Sequence, residues 1–381
     1  MLEVEIVLSL ASAFSYGVLT DCELLRTQHS ARRTKKNRRI TTMLKVGIVG
    51  FGFMGQTHYK CWKKVKGTKV VAICDVNPNI EEDTKRAVGN IGDGQEEVDF
   101  SKLKVYDDFD KMLKNEKLDA VSITLPTYLH PGTSIKALAA GVNVLCEKPM
   151  ALTSKACEGM IAEAKRSGKI MQIGHCVRFW PEYAKAKEII DSGKYGKVFA
   201  ATFQRLGAAP TWSIDNWFLD EKRSGGVALD LHIHDTDYVQ YLFGMPKAVC
   251  SVAAKSPGGD LLHISTQYLY DDDKAITAEG GWGMTPTFGF EMSFNIVLEK
   301  ATLVYDLTRE PMFRVCPAEG DAFSPDVEKS DGWFLQIAHF AKAISGKKVK
   351  QITTLEQSMN SVKIVEAEKK SASKGRKVSI S

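Results

Sequence analysis

The stretch Lys45-Val-Gly-Ile-Val-Gly-Phe-Gly-Phe-Met-Gly-Gln56 limits the possible folds of this chain more than any other. An apolar run of strand length enters Gly50-x-Gly52-x-x-Gly55 and leaves as a helix. Each glycine has a separate reason to be there. Gly50 permits a tight turn, Gly52 lets backbone approach a pyrophosphate, and Gly55 lets the helix pack close to the strand. The amides of the helix N-terminus then face the negative charge. Phe51, Phe53 and Met54 are counted with the glycines as residues of that site. A second apolar strand, Lys69-Val-Val-Ala-Ile-Cys74, ends at Asp75, 20 residues after Gly55. An acid there can accept hydrogen bonds from ribose hydroxyls. The plainer alternative is a strand, turn and helix whose glycines serve packing alone.

From Met43 onward strands and helices alternate, which predicts a parallel sheet covered on both faces. Strands are expected at 45–50, 69–74, 119–125, 142–146 and 169–173. Helices are expected at 54–65, 78–88, 107–115, 131–140 and 154–167, with a Gly- and acid-rich loop at 89–101. Pro131 suits a first helical turn, Gly141 ends that helix, and Thr153 and Gly168 bracket the helix 154–167. The second half changes character. After a helix at 181–192, strands are expected near 197–206, 247–255, 261–270, 275–282, 287–298, 301–307 and 312–316. They form a largely antiparallel sheet of five to seven strands. A long helix at 225–243 interrupts them, and helices near 332–345 and 355–373 follow. The fold class is α/β: a doubly wound domain at 43–170, then an α/β substrate-binding and oligomerisation domain with an open sheet at 171–381.

Residues 1–42 stand apart. They hold seven Arg/Lys and four Asp/Glu, so +3 of the net +5 falls there and +2 is left for the body. No nucleic-acid surface is expected from so small an excess. The mildly apolar run 6–20 precedes the basic run 31–39, the reverse of a secretory signal. It is also short and interrupted for a membrane span. An amphipathic anchor with a basic flank is one reading. The preferred reading is a loosely ordered extension, or one that follows from a misplaced start codon. Eight cysteines without a Cys-x-x-Cys pair fit free thiols in a reducing cytoplasm. Cys146 is expected to be a small buried side chain.

Three features carry chemistry. Glu147-Lys148-Pro149 follows the carboxyl end of a parallel strand, where open α/β sheets bind ligands. A lysine there can bind a substrate hydroxyl and stabilise alkoxide charge, and a cis proline would fix its aim. In the segment Ser224 to Asp237, Asp230 and His234 are i and i+4 on a predicted helix, with Asp237 set to orient the imidazole. His232 and His234 lie about 200° apart on such a helix and cannot share a metal, so no metal is expected. A strand would remove that objection. Finally, Arg178-Phe-Trp180 and Trp212 to Phe218 supply Arg and Trp side chains, Arg178 and Trp217 among them, that can hold or stack on a polar substrate. They are as readily core residues.

These residues resemble the Gfo/Idh/MocA oxidoreductase family, over most of 43–381. The resemblance rests on the glycine loop, Asp75, Pro126-Thr127-x-x-His130, Glu147-Lys148-Pro149 and Gly225-Gly226-x-x-x-Asp230-x-x-x-His234-x-x-Asp237. It implies a Rossmann domain and an α/β domain whose open sheet forms a homodimer or homotetramer. It implies Lys148, Asp230 and His234 as the catalytic set, acting on a sugar or polyol. Pro126, Thr127, His130, Glu147 and Lys148 join the cofactor site; Thr127 replaces an Asn common in the family. Asp75 would repel a 2′-phosphate and no arginine follows it, so NAD is preferred to NADP. The alternatives are an NAD-dependent glycoside hydrolase on the same scaffold and a non-catalytic NAD- or sugar-sensing regulator.

Overall fold

The computed structural model describes residues 43–84, 98–211 and 213–380. The extension 1–42, much of the helix expected at 78–88 and of the loop at 89–101, and Trp212 lie outside the described residues.

Met43 to Ser381 form one unit built on two sheets. The first sheet comprises β1 (Leu44–Val49), β2 (Thr68–Cys74), β3 (Lys104–Tyr106), β4 (Ala120–Ile123), β5 (Asn143–Glu147) and β6 (Met171–Gly174). Its order is β3-β2-β1-β4-β5-β6, with all neighbours parallel. The order reverses between β1 and β4, so the loops at their carboxyl ends diverge and leave a crevice. The central strands are largely apolar because both faces are covered: Val46, Ile48, Val121, Ile123, Val144 and Leu145 are buried. β3 was not expected, since its three residues are too few to show a period. β6 overlaps the strand expected at 169–173 and completes the sheet.

Helix α1 (Phe53–Lys64) follows the glycine loop, and α2 (Ile80–Asp83) follows β2. Helix α3 (Phe109–Asn115) begins two residues after the expected 107. In α4 (His130–Ala139) proline occupies the first turn. In α5 (Ser154–Ser167) the Thr153 hydroxyl accepts from the Ala156 amide, and Gly168 closes the helix at φ 65°. Such a cap contributes about 1 kcal/mol.

Among the described residues the second sheet has eight strands, not five to seven. They are β7 (Val198–Gly207), β8 (Ala248–Lys255), β9 (Leu261–Leu269), β10 (Ala275–Gly281), β11 (Phe290–Leu298), β12 (Ala301–Asp306), β13 (Phe313–Pro317) and β14 (Val378–Ser379). The order is β13-β12-β11-β7-β10-β9-β8-β14, and only β7 and β10 pair in parallel. The eighth strand, β14, has two residues and no alternation to read. On the inner face Phe203, Tyr268, Ile276, Phe294, Ile296 and Leu303 share one core with Tyr183 of α6 (Pro181–Asp191), whose ring meets Phe294 edge-on.

The expected helix at 225–243 is divided. A short α7 (Glu221–Ser224) ends at Gly225 (φ 84°). A wide π-turn spans Ala228–His232, and α8 runs Ile233–Phe243. The two C-terminal helices tie the sheets together. Helix α9 (Gly332–Ile344) returns to the first sheet: Ile337, Phe340 and Ala341 pack with Val46, Ile48 and Trp62. Helix α10 (Leu355–Lys374) lends Val362 and Val365 to one core and Ile364 and Ala367 to the other.

Candidate active site

The glycine loop has the geometry its residue types require. Gly50 sits at φ 84°, and a Cβ there would lie 2.8 Å from the Thr124 carbonyl oxygen. At Gly55 a Cβ would lie 2.3 Å from Gly50 O, so helix and strand cannot approach this closely with any side chain between them. At Gly52 a Cβ would meet no heavy atom within 4 Å. That glycine therefore keeps open the space just outside the loop. Helix α1 starts there with no side-chain cap and no acid in its first turn. Its positive end is left for an anion. Phe51 turns its ring onto Tyr59 and Phe100 and offers only backbone. Phe53 and Met54 are half-buried in the first turn. The residues fit a dinucleotide whose pyrophosphate lies on Gly52.

Asp75 leaves β2 beside this loop. Its Oδ2 accepts from the Phe51 amide at 2.6 Å and its Oδ1 from the Asn77 amide at 2.9 Å. The carboxylate thus braces the glycine turn from one side. Thr124, which the sequence reading passed over, braces it from the other by donating to Gly50 O at 2.6 Å.

Across the crevice, Pro126 and Thr127 follow β4, and Thr127 is buried. His130 is not turned toward ligand space. Its ring nitrogens lie 2.8 Å from Pro149 O and from Leu125 O, so it bolts the two loops together from beneath. This corrects its expected contact with the cofactor to a structural one. Burial lowers its pKa although both carbonyls favour the charged form. Glu147 is likewise internal: Oε1 accepts from His58 Nε2 at 2.9 Å and Oε2 from the Lys148 amide at 3.3 Å. It supports the lysine and does not face the crevice.

Lys148 precedes a cis peptide to Pro149. Its ammonium donates to the Asp230 carbonyl at 2.8 Å and to Asp230 Oδ1 at 2.9 Å. Both side chains remain partly accessible, 15% and 13% exposed, and can still reach a ligand. The π-turn presents both oxygens of Asp230 to one cation.

His234 is the first-turn neighbour of this pair. Burial, then the positive charges of Lys148 and Arg205, hold its pKa well below the usual imidazole range. It is neutral at pH 7 and can accept a proton. Its Nδ1 is buried without a hydrogen-bond partner among the described residues. The expectation that Asp237 orients this ring is not met. Asp237 is bound by Arg178 through two bonds of 2.8 and 2.7 Å and by Ser361 at 2.8 Å. Burial alone would raise its pKa, but Arg178 and His175 overcome that and lower it. The same geometry corrects Arg178. Its Nη1 donates to Ile352 O and Gln357 Oε1, so every nitrogen of this fully buried guanidinium is engaged inside the protein and none faces a substrate. A second buried pair, Arg205 with Asp235 at 2.8 and 3.1 Å, fixes the other side of α8. Removing one partner of a pair this buried would cost about 3–5 kcal/mol, because it leaves the other charge uncompensated.

His232 packs in the core against Gly280, 3.4 Å from Glu368 Oε2. Among the described residues no three His, Cys, Asp or Glu groups converge as a metal site. Trp217 is half-buried, stacked on Phe218 with centroids 4.0 Å apart, and Phe218 meets Trp282 edge-on. The Arg223 guanidinium lies 5.6 Å over the Tyr128 ring, which joins this segment to the loop after β4. Cys146 is fully buried, and burial pushes its thiol pKa up, so it is no nucleophile.

Burial lowers the pKa of His130, His175 and His234, in His175 to about 4. The unfolded chain binds these protons near pH 6.5 and the folded chain does not. The stabilisation is therefore present above 6.5 and is lost as pH falls from there toward 4. Between pH 7 and pH 5 His175 alone should remove on the order of 2 kcal/mol. Urea unfolding at the two pH values measures this; equal midpoints would mean that the histidines protonate within the fold.

Fold and site together define a dinucleotide-binding oxidoreductase scaffold. A family model described as an oxidoreductase family, NAD-binding Rossmann fold, matches residues 44–175. The GFO/IDH/MocA C-terminal domain matches residues 183–304. The chain belongs to the Gfo/Idh/MocA oxidoreductase family, and its first domain is an NAD-binding one. It is 27% identical to scyllo-inositol 2-dehydrogenase (NAD(+)) of Bacillus subtilis, over 83% of this chain and 91% of that one. It is 32% identical to 2,7-anhydro-N-acetylneuraminate hydratase of Mediterraneibacter gnavus, over 59% of this chain; the match spans about half, 55%, of the hydratase's length. The fold is also that of a levoglucosan dehydrogenase solved with NADH and levoglucosan, with a TM-score of 0.75 at 20% identity over 88% of this chain and 99% of that one.

Proposed function

We propose that the protein is an NAD-dependent dehydrogenase that oxidises a secondary hydroxyl of a sugar, polyol or related compound, or runs the reverse reduction. The observation that carries this reading is the Lys148 ammonium held by both oxygens of Asp230 at the carboxyl end of β5, beside a neutral His234. Bound NAD would supply the hydride acceptor for the carbinol carbon. His234 accepts the hydroxyl proton through Nε2, because Nδ1 is the buried nitrogen. Lys148 donates to the reacting oxygen and stabilises its developing charge. Asp230 keeps Lys148 aimed and binds an adjacent hydroxyl. Trp217 offers an aromatic face to the C–H side of a sugar ring. Gly50, Gly52, Gly55, Asp75, Pro126 and Thr127 hold the cofactor.

The test is a screen of sugars, inositols and sugar acids with NAD, read as NADH absorbance. At least one polyhydroxylated compound should give stoichiometric NADH. The hydratase relative favours a second reading in which the hydride returns to the substrate and water is added without net redox change. Product formation with no NADH would select that reading over the first.

We also propose that the eight-stranded sheet pairs with a second copy. The row Cys250, Gln267, Thr277, Thr202, Asn295 and Val304 runs across neighbouring strands and carries no charge. A homodimer or homotetramer would be seen by analytical ultracentrifugation, and a monomer at micromolar concentration would refute it. Among the described residues no helix is long and apolar enough to cross a membrane. Free thiols at Cys61, Cys74, Cys146, Cys157 and Cys176 support a cytoplasmic placement, and fractionation of cells would test it.

A further inference from the structure

His58 lies in the second turn of α1 and is fully buried. Helix α1 begins at Gly52, so its N-terminus is the proposed pyrophosphate site and His58 lies about 9 Å further along the same rod. Its Nε2 donates to Glu147 Oε1 at 2.9 Å, and Nδ1 has no hydrogen-bond partner among the described residues. The second Glu147 oxygen accepts from the amide of Lys148 at 3.3 Å. Glu147 has nowhere else to go. A Cβ on Gly174, the last residue of β6, would lie 2.7 Å from Oε1. The carboxylate is thus pressed between a helix on one side and bare backbone on the other. Burial alone would raise its pKa, but His58 and then Lys148 hold it below the usual range, so it stays ionised and acts only as an acceptor.

We infer that His58 is a positioning residue that fixes Lys148 through Glu147 and ties the lysine's aim to the helix that receives the dinucleotide. The connected groups are α1, His58 Nε2, Glu147, the Lys148 amide and, through Lys148 Nζ, Asp230. A carboxylate at 147 held by anything less rigid would let the Lys148 backbone shift. A displacement of about 1 Å at a reacting centre costs roughly 100-fold in rate. This inference rests on the dehydrogenase reading, but its first readout needs no substrate.

The experiment compares His58→Leu, His58→Gln and Gly174→Ala with wild type. Glutamine carries an N–H donor at about the position of Nε2 and should rescue. The first readout is the rate of reductive methylation of Lys148, followed by peptide mass spectrometry with and without NAD. The expected result is faster Lys148 modification in His58→Leu and Gly174→Ala by about tenfold, wild-type behaviour in His58→Gln, and NAD affinity within about threefold throughout. On a substrate found by the screen, kcat should fall about 100-fold in the first two variants while KM changes little. Lys148 reactivity equal to wild type in folded His58→Leu and Gly174→Ala overturns the inference, whatever the screen yields. If the leucine variant fails to fold, His58→Asn replaces it. Its shorter amide mimics Nδ1 and should leave Lys148 as reactive as in Gly174→Ala; indistinguishable Gln and Asn variants overturn the inference as well.

Discussion

Replacement of Lys148 by methionine should reduce turnover by at least ~10³-fold while leaving NAD affinity almost unchanged. The two side chains are similar in length, so the substituted thioether can occupy the same channel beside Asp230. The change removes the ammonium that bridges Asp230 O and Oδ1. Two effects add. The alkoxide that develops on the reacting oxygen loses its cationic donor, and Asp230 keeps an unneutralised charge in a site only 13% exposed. The second effect also acts on His234, whose pKa is held down in part by Lys148. Its pKa should rise in the variant, so residual activity should fade at a higher pH than in wild type. NAD affinity measured by fluorescence titration, together with a pH–rate profile, separates these outcomes. A variant that retains a tenth of wild-type turnover would remove Lys148 from the mechanism.

Much of this site could be read from the chain because its signals are local. The glycine loop, Asp75, the Glu-Lys-Pro turn and the Asp230–His234 spacing each lie within a dozen residues, and each residue type has one dominant geometric reason. What was missed depends on contacts between distant segments. Asp237 looked free to orient His234 because its partner Arg178 lies 59 positions earlier. Arg178 looked free to bind substrate for the same reason. His58 gave only a weak signal: a polar residue on the buried face of α1, 89 positions from its acceptor Glu147. The helix expected from 225 starts later because Gly225 and Gly226, at φ 84° and 70°, are in left-handed backbone, and the π-turn at Ala228–His232 that follows has no signature in its residue types. Helix α9 reads as amphipathic from its sequence, yet nothing in 332–344 says that its apolar side belongs on Trp62 in the other half of the chain.

Alanine at Gly52 and alanine at Gly55 should part company. At Gly52 the new methyl meets no atom of the described residues within 4 Å, and the backbone is at φ −70°, which alanine accepts. Folding stability should be unchanged, or slightly raised because alanine leaves the unfolded chain less entropy. The methyl enters the space from which a pyrophosphate would take its amide hydrogen bonds. NAD affinity should therefore fall on the order of 100-fold, ~3 kcal/mol. At Gly55 the methyl falls 2.3 Å from Gly50 O, a backbone atom held by Thr124 and by the turn itself. Relief requires α1 to move off β1, which should cost about 3 kcal/mol of folding free energy as overpacking, in addition to the loss of binding. Thermal unfolding without ligand and NAD titration give the two numbers for each variant. A Gly52→Ala protein that binds NAD as wild type does would mean that the dinucleotide does not lie on this loop, whatever the stability of the Gly55→Ala protein.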